Sequence, residues 1–136
     1  MYIEIVDIKL HIEPETYAAL SFDVSDSNVV VAINQATGQL RSYLSVQYKI
    51  DLELVKTGAA RDPLIMMLAM DLVIYHLFSY IDPSHIPQSR DDRYKAALAF
   101  LKDVRDGVAS LNIAEVDDTT IFEIKGGSNV KRINQY

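Results

Sequence analysis

Acids and histidines are the side chains through which this sequence could do chemistry, and Asp71 is the most unusual of them. It interrupts the apolar run LIMMLAMDLVIYHLFSYI at residues 64–81. An ionised carboxylate in apolar surroundings is unfavourable unless it is paired. Tyr75 lies four residues on and could donate a hydrogen bond, and Arg41 or Arg93 could supply a charge. A catalytic acid needs a second acid and a cleft, which the sequence does not display. We therefore predict that Asp71 and Tyr75 form a buried structural anchor that fixes helix register.

The histidines do not have the spacing of a metal site. Helical ligands are typically three or four residues apart, whereas Asp71 precedes His76 by five. The sequence DPSH at 82–85 could bring a carboxylate near the imidazole of His85, but Asp-Pro-Ser is also an ordinary turn sequence. A Gly-rich phosphate loop, a Gly-x-Ser-x-Gly elbow and a His-Glu-x-x-His motif are absent. We predict no catalytic, cofactor-binding or metal-binding residues, and no enzymatic activity.

Composition indicates one globular domain over residues 1–136. The chain is 49% hydrophobic and 24% charged, has no cysteine and carries a net charge of -6. The lack of cysteine excludes thiolate metal sites and cysteine nucleophiles, and the acidic balance opposes nucleic-acid binding, which needs a basic footprint. Six acidic residues and one lysine, a balance of -5, lie within residues 1–26. We predict that this segment is a solvated acidic face and not a signal peptide.

The apolar run at 64–81 has the length of a short membrane span. A bilayer needs about 17–25 apolar residues, but Asp71 near the middle of the run would cost about 2.5–3.5 kcal/mol on insertion. We therefore predict a buried core helix and no membrane association.

Three long helices must position these side chains. The first follows the capping residues SDSN at 25–28 and runs to about Tyr48. Its apolar stripe has steps of four and three residues: Val29, Ile33, Ala36, Leu40, Tyr43 and Gln47. The second begins at Pro63 behind an Asp62 cap and is apolar on all sides, so it needs cover from its neighbours.

The third long helix covers residues 90–111 and follows a Ser89 cap. Its stripe consists of Ala97, Leu101, Val104, Val108 and Leu111. Acidic and basic residues alternate around it at spacings of three and four, which predicts a solvated, mutually paired face rather than a catalytic one. Two striped helices beside one apolar helix indicate a mainly α fold, a small antiparallel helical bundle with its core at about 26–111.

The remaining segments are shorter. Pro14 predicts the start of a short N-terminal helix, residues 2–12 fit neither the helical nor the strand period, and residues 49–61 are predicted as a loop.

The C-terminal residues 117–136 differ in character from the helices. Phe122 and Ile124 lie on one side of an extended run, and Gly126-Gly127 is a turn signal. An isolated hairpin is marginal in water. We predict a β-hairpin or extended arm that contributes to contacts with a neighbouring subunit or with the tail.

Three stretches of the long helices are distinctive in combination. They are AINQATGQLRSYLSVQYKIDL, DPLIMMLAMDLVIYHLF and RDDRYKAALAFLKDVRDGVASL, and together they cover roughly residues 30–111. In this order and spacing they resemble the head–tail connector proteins of tailed phages, and most of all the neck proteins of Mu-like prophages.

This resemblance implies a small helical protein that forms a homo-oligomeric ring between the portal and the tail. Such a ring would contact portal and tail proteins and let DNA pass without binding it specifically. The expected location is the neck of the virion or the cytoplasm of the bacterial host. No catalytic residues are implied. The positions that match the family-like pattern are Tyr43, Leu44, Asp71, Tyr75, Arg93, Tyr94 and Leu101, and their pattern alone indicates core and register roles. The alternative is a small helical protein-interaction or regulatory domain of the bacterial cytoplasm.

Overall fold

The structure, a computed structural model, describes residues 1–21 and 25–117. Within these ranges the chain forms α1 (Ile5–His11), α2 (Pro14–Leu20), α3 (Ser27–Leu44), α4 (Ile50–Leu54), α5 (Pro63–Ile81) and α6 (Gln88–Arg105), with a 3-10 turn at Gly58–Ala60. The prediction of a mainly helical protein is confirmed. Apart from Asp117 at its start, the predicted arm lies outside the described residues, and so do Phe122, Ile124, Gly126 and Gly127.

Helix α5 is the core helix of the protein. It begins as predicted, because Asp62 Oδ1 accepts a hydrogen bond from the backbone N–H of Ile65 at 3.0 Å and Pro63 occupies the first turn. It packs against α1, α2, α3 and α6. The cover predicted for this helix is incomplete near its ends, where Met67 is 54% and Tyr80 60% exposed.

By length and composition α5 could also span a membrane, with a mean hydropathy of 1.8 over 18 residues. However, 44% of that window is buried inside the protein. Core helices of soluble proteins have the same length and composition, so its packing against four other helices agrees with the prediction of a core helix.

The two striped helices cover α5 with the faces that their periodicity predicts. Helix α3 buries Val29, Ile33, Ala36 and Leu40, and α6 buries Ala97, Leu101 and Val104. The side chain of Gln39 contacts Tyr94, and that of Gln47 contacts Arg105. Helices α3 and α6 therefore run in the same direction. The short connection at 82–87 turns the chain back, so α5 runs opposite to both.

The predicted end of the third helix is wrong. Helix α6 ends at Arg105, and Gly107 follows with a φ of 81°, in the left-handed region that commonly ends helices. Val108, predicted on the buried stripe, is 78% exposed. Leu111 is buried from a loop, where its N–H donates to the hydroxyl of Tyr48 at 2.7 Å. The start also differs, because Ser89 lies inside the helix and does not cap it.

The first long helix also ends early, at Leu44, because the chain at residues 47–49 pairs with a later segment. Tyr48 forms a single antiparallel bridge with Glu115. The backbone N–H of Lys49 donates to the carbonyl of Ala114 at 2.8 Å beside it. The predicted loop at 49–61 contains α4 instead, whose Ile50 is buried.

The N-terminal segment, ambiguous by periodicity, is helical. Helix α1 starts with a capping box, in which the backbone N–H of Glu4 donates to Asp7 Oδ2 at 2.8 Å. Helix α2 starts at Pro14 as predicted and buries Tyr17 and Leu20.

Candidate functional site

Asp71 lies between α5 and α6, with its side chain 13% exposed. Arg93 of α6 reaches it, with Nη1 3.6 Å from Oδ1, whereas Arg41 pairs with Asp51 at 2.9 Å. Burial raises the pKa of Asp71, and neighbouring cations, Arg93 first among them, oppose that rise. The carboxylate thus has a charge partner from a neighbouring helix, and its role as an anchor stays a prediction.

Tyr75 was expected to donate a hydrogen bond to Asp71, but its contact is different. Its ring stacks on Tyr94 of α6, with ring centroids 3.8 Å apart and planes 9° from parallel. Within the part of the chain that the structure describes, no hydrogen bond joins Tyr75 to Asp71. Stacked aromatic rings contribute about 0.5–1.5 kcal/mol beyond the area that they bury, so Tyr75 holds α5 to α6 through its ring.

A polar contact beside this stack joins all three long helices. His76 Nε2 of α5 donates to Gln39 Oε1 of α3 at 2.6 Å, and Gln39 Nε2 donates to the hydroxyl of Tyr94 of α6 at 3.0 Å. Burial lowers the pKa of His76, which favours the neutral ring. The sequence analysis assigned His76 no metal-binding role, and it missed Gln39.

The other candidate histidine lies in an exposed turn. His85 Nδ1 is 2.9 Å from Asp82 Oδ2, and the hydroxyl of Ser84 donates to Asp82 Oδ1 at 2.9 Å. The DPSH sequence therefore forms a turn and also brings the carboxylate to the imidazole. The contacts are local and solvated, so they define no cleft.

Asp7 of α1 is buried, although residues 1–26 were predicted to be a solvated acidic face. It forms a two-pronged ion pair with Arg61, from Nη1 to Oδ2 at 2.7 Å and from Nη2 to Oδ1 at 3.0 Å. Arg61 Nη1 also donates to the carbonyl of Tyr2 at 2.7 Å. The Arg61 guanidinium holds the pKa of Asp7 below its ordinary value. The prediction is wrong for Asp7 because a distant arginine compensates its charge.

A second buried carboxylate, Glu53 of α4, holds the same region together. Its Oε2 accepts from the hydroxyl of Tyr2 at 2.8 Å and from the backbone N–H of Asp62 at 2.7 Å, and its Oε1 lies 2.8 Å from Lys56 Nζ. Burial raises the pKa of Glu53, but its hydrogen bonds from Lys56, Asp62 and Tyr2 outweigh burial and lower it overall. We call Tyr2, Asp7, Glu53 and Arg61 the N-terminal network.

An open groove of about 410 Å³ lies where α1 turns into α2 and α5 turns into α6. Ile12, Phe78 and Pro87 form its apolar walls. Ile12 and Phe78 also pack against the core, so these walls are held in place from behind. The volume is in the range of sites that receive a small ligand or a few side chains of a partner.

Arg90 is the main cation of this groove. It is half-buried, and burial lowers its pKa, with the neighbouring charge of Arg93 adding to that effect. Among the residues that the structure describes, the side chain of Arg90 has no hydrogen bond; the negative charge of Asp71 opposes the lowering of its pKa, but Arg93 is the arginine that forms the ion pair with Asp71. A guanidinium has five N–H donors. The groove therefore combines apolar walls with unused donors for an anionic group.

Comparison with known protein families places the chain among phage proteins. The family model described as bacteriophage Mu, Gp36 matches residues 2–124. The chain belongs to the bacteriophage Mu Gp36 family. The predicted likeness to Mu-type phage proteins is thereby confirmed. No curated protein and no solved structure matches it.

The Gp36 match covers every helix of the described structure, so the bundle, the groove and the N-terminal network all lie inside the family region. Over residues 1–21 and 25–117, no group of three or more His, Asp or Glu residues could hold a metal ion. The absence of catalytic and cofactor-binding residues stays a prediction. Sequence reasoning missed Arg61 and Glu53. The sequence signal for Glu53 was its place among the apolar residues of LELV at 52–55.

Proposed function

We propose that this Gp36-family phage protein is a non-enzymatic structural component of the virion, a head–tail connector whose copies form a ring between portal and tail. The family match over residues 2–124 carries the proposal, together with the resemblance of the three long helices to connector proteins. The portal and the tail proteins are its partners. The protein is made in the host cytoplasm and resides in the neck of the assembled particle.

The use of its polar side chains supports a structural rather than a catalytic role. The buried acids Asp7 and Glu53 are engaged by Tyr2 before α1 and by Lys56 and Arg61, which lie between α4 and α5. A catalytic centre needs titratable groups that converge on an open cleft. Here the paired acids hold elements together instead.

The charge of the protein suits a ring through which DNA moves. A basic surface would grip the phosphate backbone, whereas a chain with a net charge of -6 repels it. DNA then passes through the ring without a specific binding site.

Deletion of the gene from its prophage tests this proposal. We expect DNA-filled heads and free tails that remain unjoined in electron micrographs, with restoration by the gene supplied in trans. Antibody labelling of complete particles should mark the junction of head and tail. Normal particle yield, with the protein absent from purified virions, would contradict the proposal and favour a regulatory or interaction domain of the host cytoplasm.

A further inference from the structure

The groove at the start of α6 needs a partner with a specific chemistry. Arg90 offers unused donors, and Ile12, Phe78 and Pro87 offer apolar walls next to it. A half-buried guanidinium forms strong, charge-assisted hydrogen bonds with a carboxylate. Apolar side chains beside the pair keep water away from it. The fitting occupant is therefore a segment that carries a carboxylate beside an apolar side chain.

The loop that follows the other end of α6 has this composition. The side chain of Asp106 is 58% exposed and pairs only with the adjacent Arg105, 3.1 Å away, among the described residues; Val108 is 78% exposed, with Gly107 between them. An apolar side chain exposed to that degree gains free energy when a partner covers it. Helix α6 has 18 residues, so the loop and the groove lie about 27 Å apart at opposite ends of one helix. A chain therefore cannot fill its own groove with its own loop.

We infer that the groove of one copy receives the loop at residues 106–108 of a second copy, with Asp106 on Arg90 and Val108 against Phe78. The inference rests on the proposed ring and names the surfaces that build it. Two different surfaces in contact form a head-to-tail interface, and such interfaces close into rings when the rotation between copies permits.

The charges next to the two contact residues are also complementary. Glu13 lines the groove near Arg90, and Arg105, the last residue of α6, precedes the loop with its side chain 39% exposed. Arg105 can therefore face Glu13 while Asp106 faces Arg90. If Arg105 faced Arg90 and Asp106 faced Glu13 instead, like charges would meet, which disfavours that arrangement.

Charge reversal on each side of the contact tests the inference in the full-length chain. Self-association is measured by sedimentation velocity over a range of concentrations. Arg90→Glu and Asp106→Arg should each raise the dissociation constant of self-association by about tenfold or more. An equimolar mixture of the two variants should recover assembly, because every interface in an alternating ring then pairs opposite charges.

The matched controls are Arg41→Glu and Asp51→Arg, which reverse the charges of an exposed ion pair elsewhere on the chain. Both should assemble like the wild type. If Arg90→Glu does not fold, Val108→Glu provides the same test at an exposed position. It should weaken assembly, with an unchanged helical circular dichroism signal.

Cysteine cross-linking gives an independent measurement, because the natural chain has no cysteine. A chain with both Ser89→Cys and Val108→Cys cannot form an internal disulfide across α6, since a disulfide requires Cα atoms within about 7 Å. Oxidation should therefore produce a ladder of multimers. Each single-cysteine variant should stop at dimers.

The inference is overturned by single charge variants that assemble like the wild type, or by a mixture that assembles no better than either variant. A wild-type chain that remains monomeric at every concentration also overturns it. In that case antibody labelling at the neck still supports the proposed function. A chain that assembles as expected but is absent from virions overturns the proposed function and leaves the interface standing.

Discussion

Replacement of Arg61 by alanine should destabilise the protein strongly, because this residue closes the N-terminal network. Its guanidinium donates twice to Asp7, once to the carbonyl of Tyr2 and once to the carbonyl of Gly58. The side chains of Arg61 and Asp7 are 13% and 11% exposed, so Arg61→Ala leaves a nearly buried carboxylate without its cation. Breaking a buried pair in this way costs about 3–5 kcal/mol. Because some solvent still reaches the pair, we expect about 3 kcal/mol.

Urea denaturation followed by far-ultraviolet circular dichroism measures this loss. A change of about 3 kcal/mol is a large part of the 5–15 kcal/mol typical of a domain, so the midpoint should fall clearly. Arg61→Lys should be intermediate, because lysine keeps the charge but not the two-pronged geometry. Arg41→Ala is the matched control. Its pair with Asp51 is exposed, at 52% and 76%, and such pairs contribute about 0–1 kcal/mol.

The reasoning fails if Arg61→Ala lowers the unfolding free energy no more than Arg41→Ala does. A double-mutant cycle with Asp7→Ala gives a second check. Residues in one ion-pair network should show a coupling free energy of about 0.5–3 kcal/mol. Strictly additive losses would mean that the two side chains act independently despite their contact.

Leu72→Ala should cost about 2–5 kcal/mol in urea denaturation, because Leu72 is 0% exposed at the centre of the bundle; an unchanged midpoint would contradict its core position. Asp71→Ala should lower the unfolding free energy by about 1–3 kcal/mol and Asp71→Asn by less, whereas equal tolerance of both would argue against an anchor. The pKa values of Asp7 and Glu53 are lowered in the folded state, so both carboxylates stabilise the fold above their unfolded pKa of about 4. That contribution is lost as the pH falls through their folded pKa values, and the urea midpoint should decline below about pH 4; a midpoint independent of pH there would refute this. Deletion of residues 118–136 should leave the helical signal nearly intact but weaken self-association in sedimentation, and a deletion variant that unfolds or assembles like the full chain would contradict the predicted arm.

The sequence alone predicted the three long helices and the likeness to Mu-type phage proteins. Local signals suffice for α5, because an Asp-Pro start and a long, mostly apolar run both act within one helix. The stripes of α3 and α6 repeat with the helical period, so their buried faces could be predicted without knowledge of the partner. The phage relationship was also readable, because it depends on the order of three such stretches.

Tertiary structure decided the ends of these helices. Helix α6 stops at Arg105 because Gly107 adopts a left-handed conformation and the chain returns to Tyr48, which lies 63 residues before its hydrogen-bond partner Leu111. Periodicity continues through Val108 and carries no information about such a return. The sequence likewise left the conformation of residues 2–12 undetermined, since their apolar pattern fits neither the helical nor the strand period.

The partners of the charged residues depended on the fold most of all. Asp7 and Arg61 are 54 residues apart in the chain and 2.7 Å apart in space. An acid in an acidic segment looks solvated until the fold brings a cation to it, because local spacing reveals only partners on the same element. The groove around Arg90 is likewise formed by residues at the ends of four separate helices, so only their packing brings Arg90 beside the apolar walls of Ile12 and Phe78.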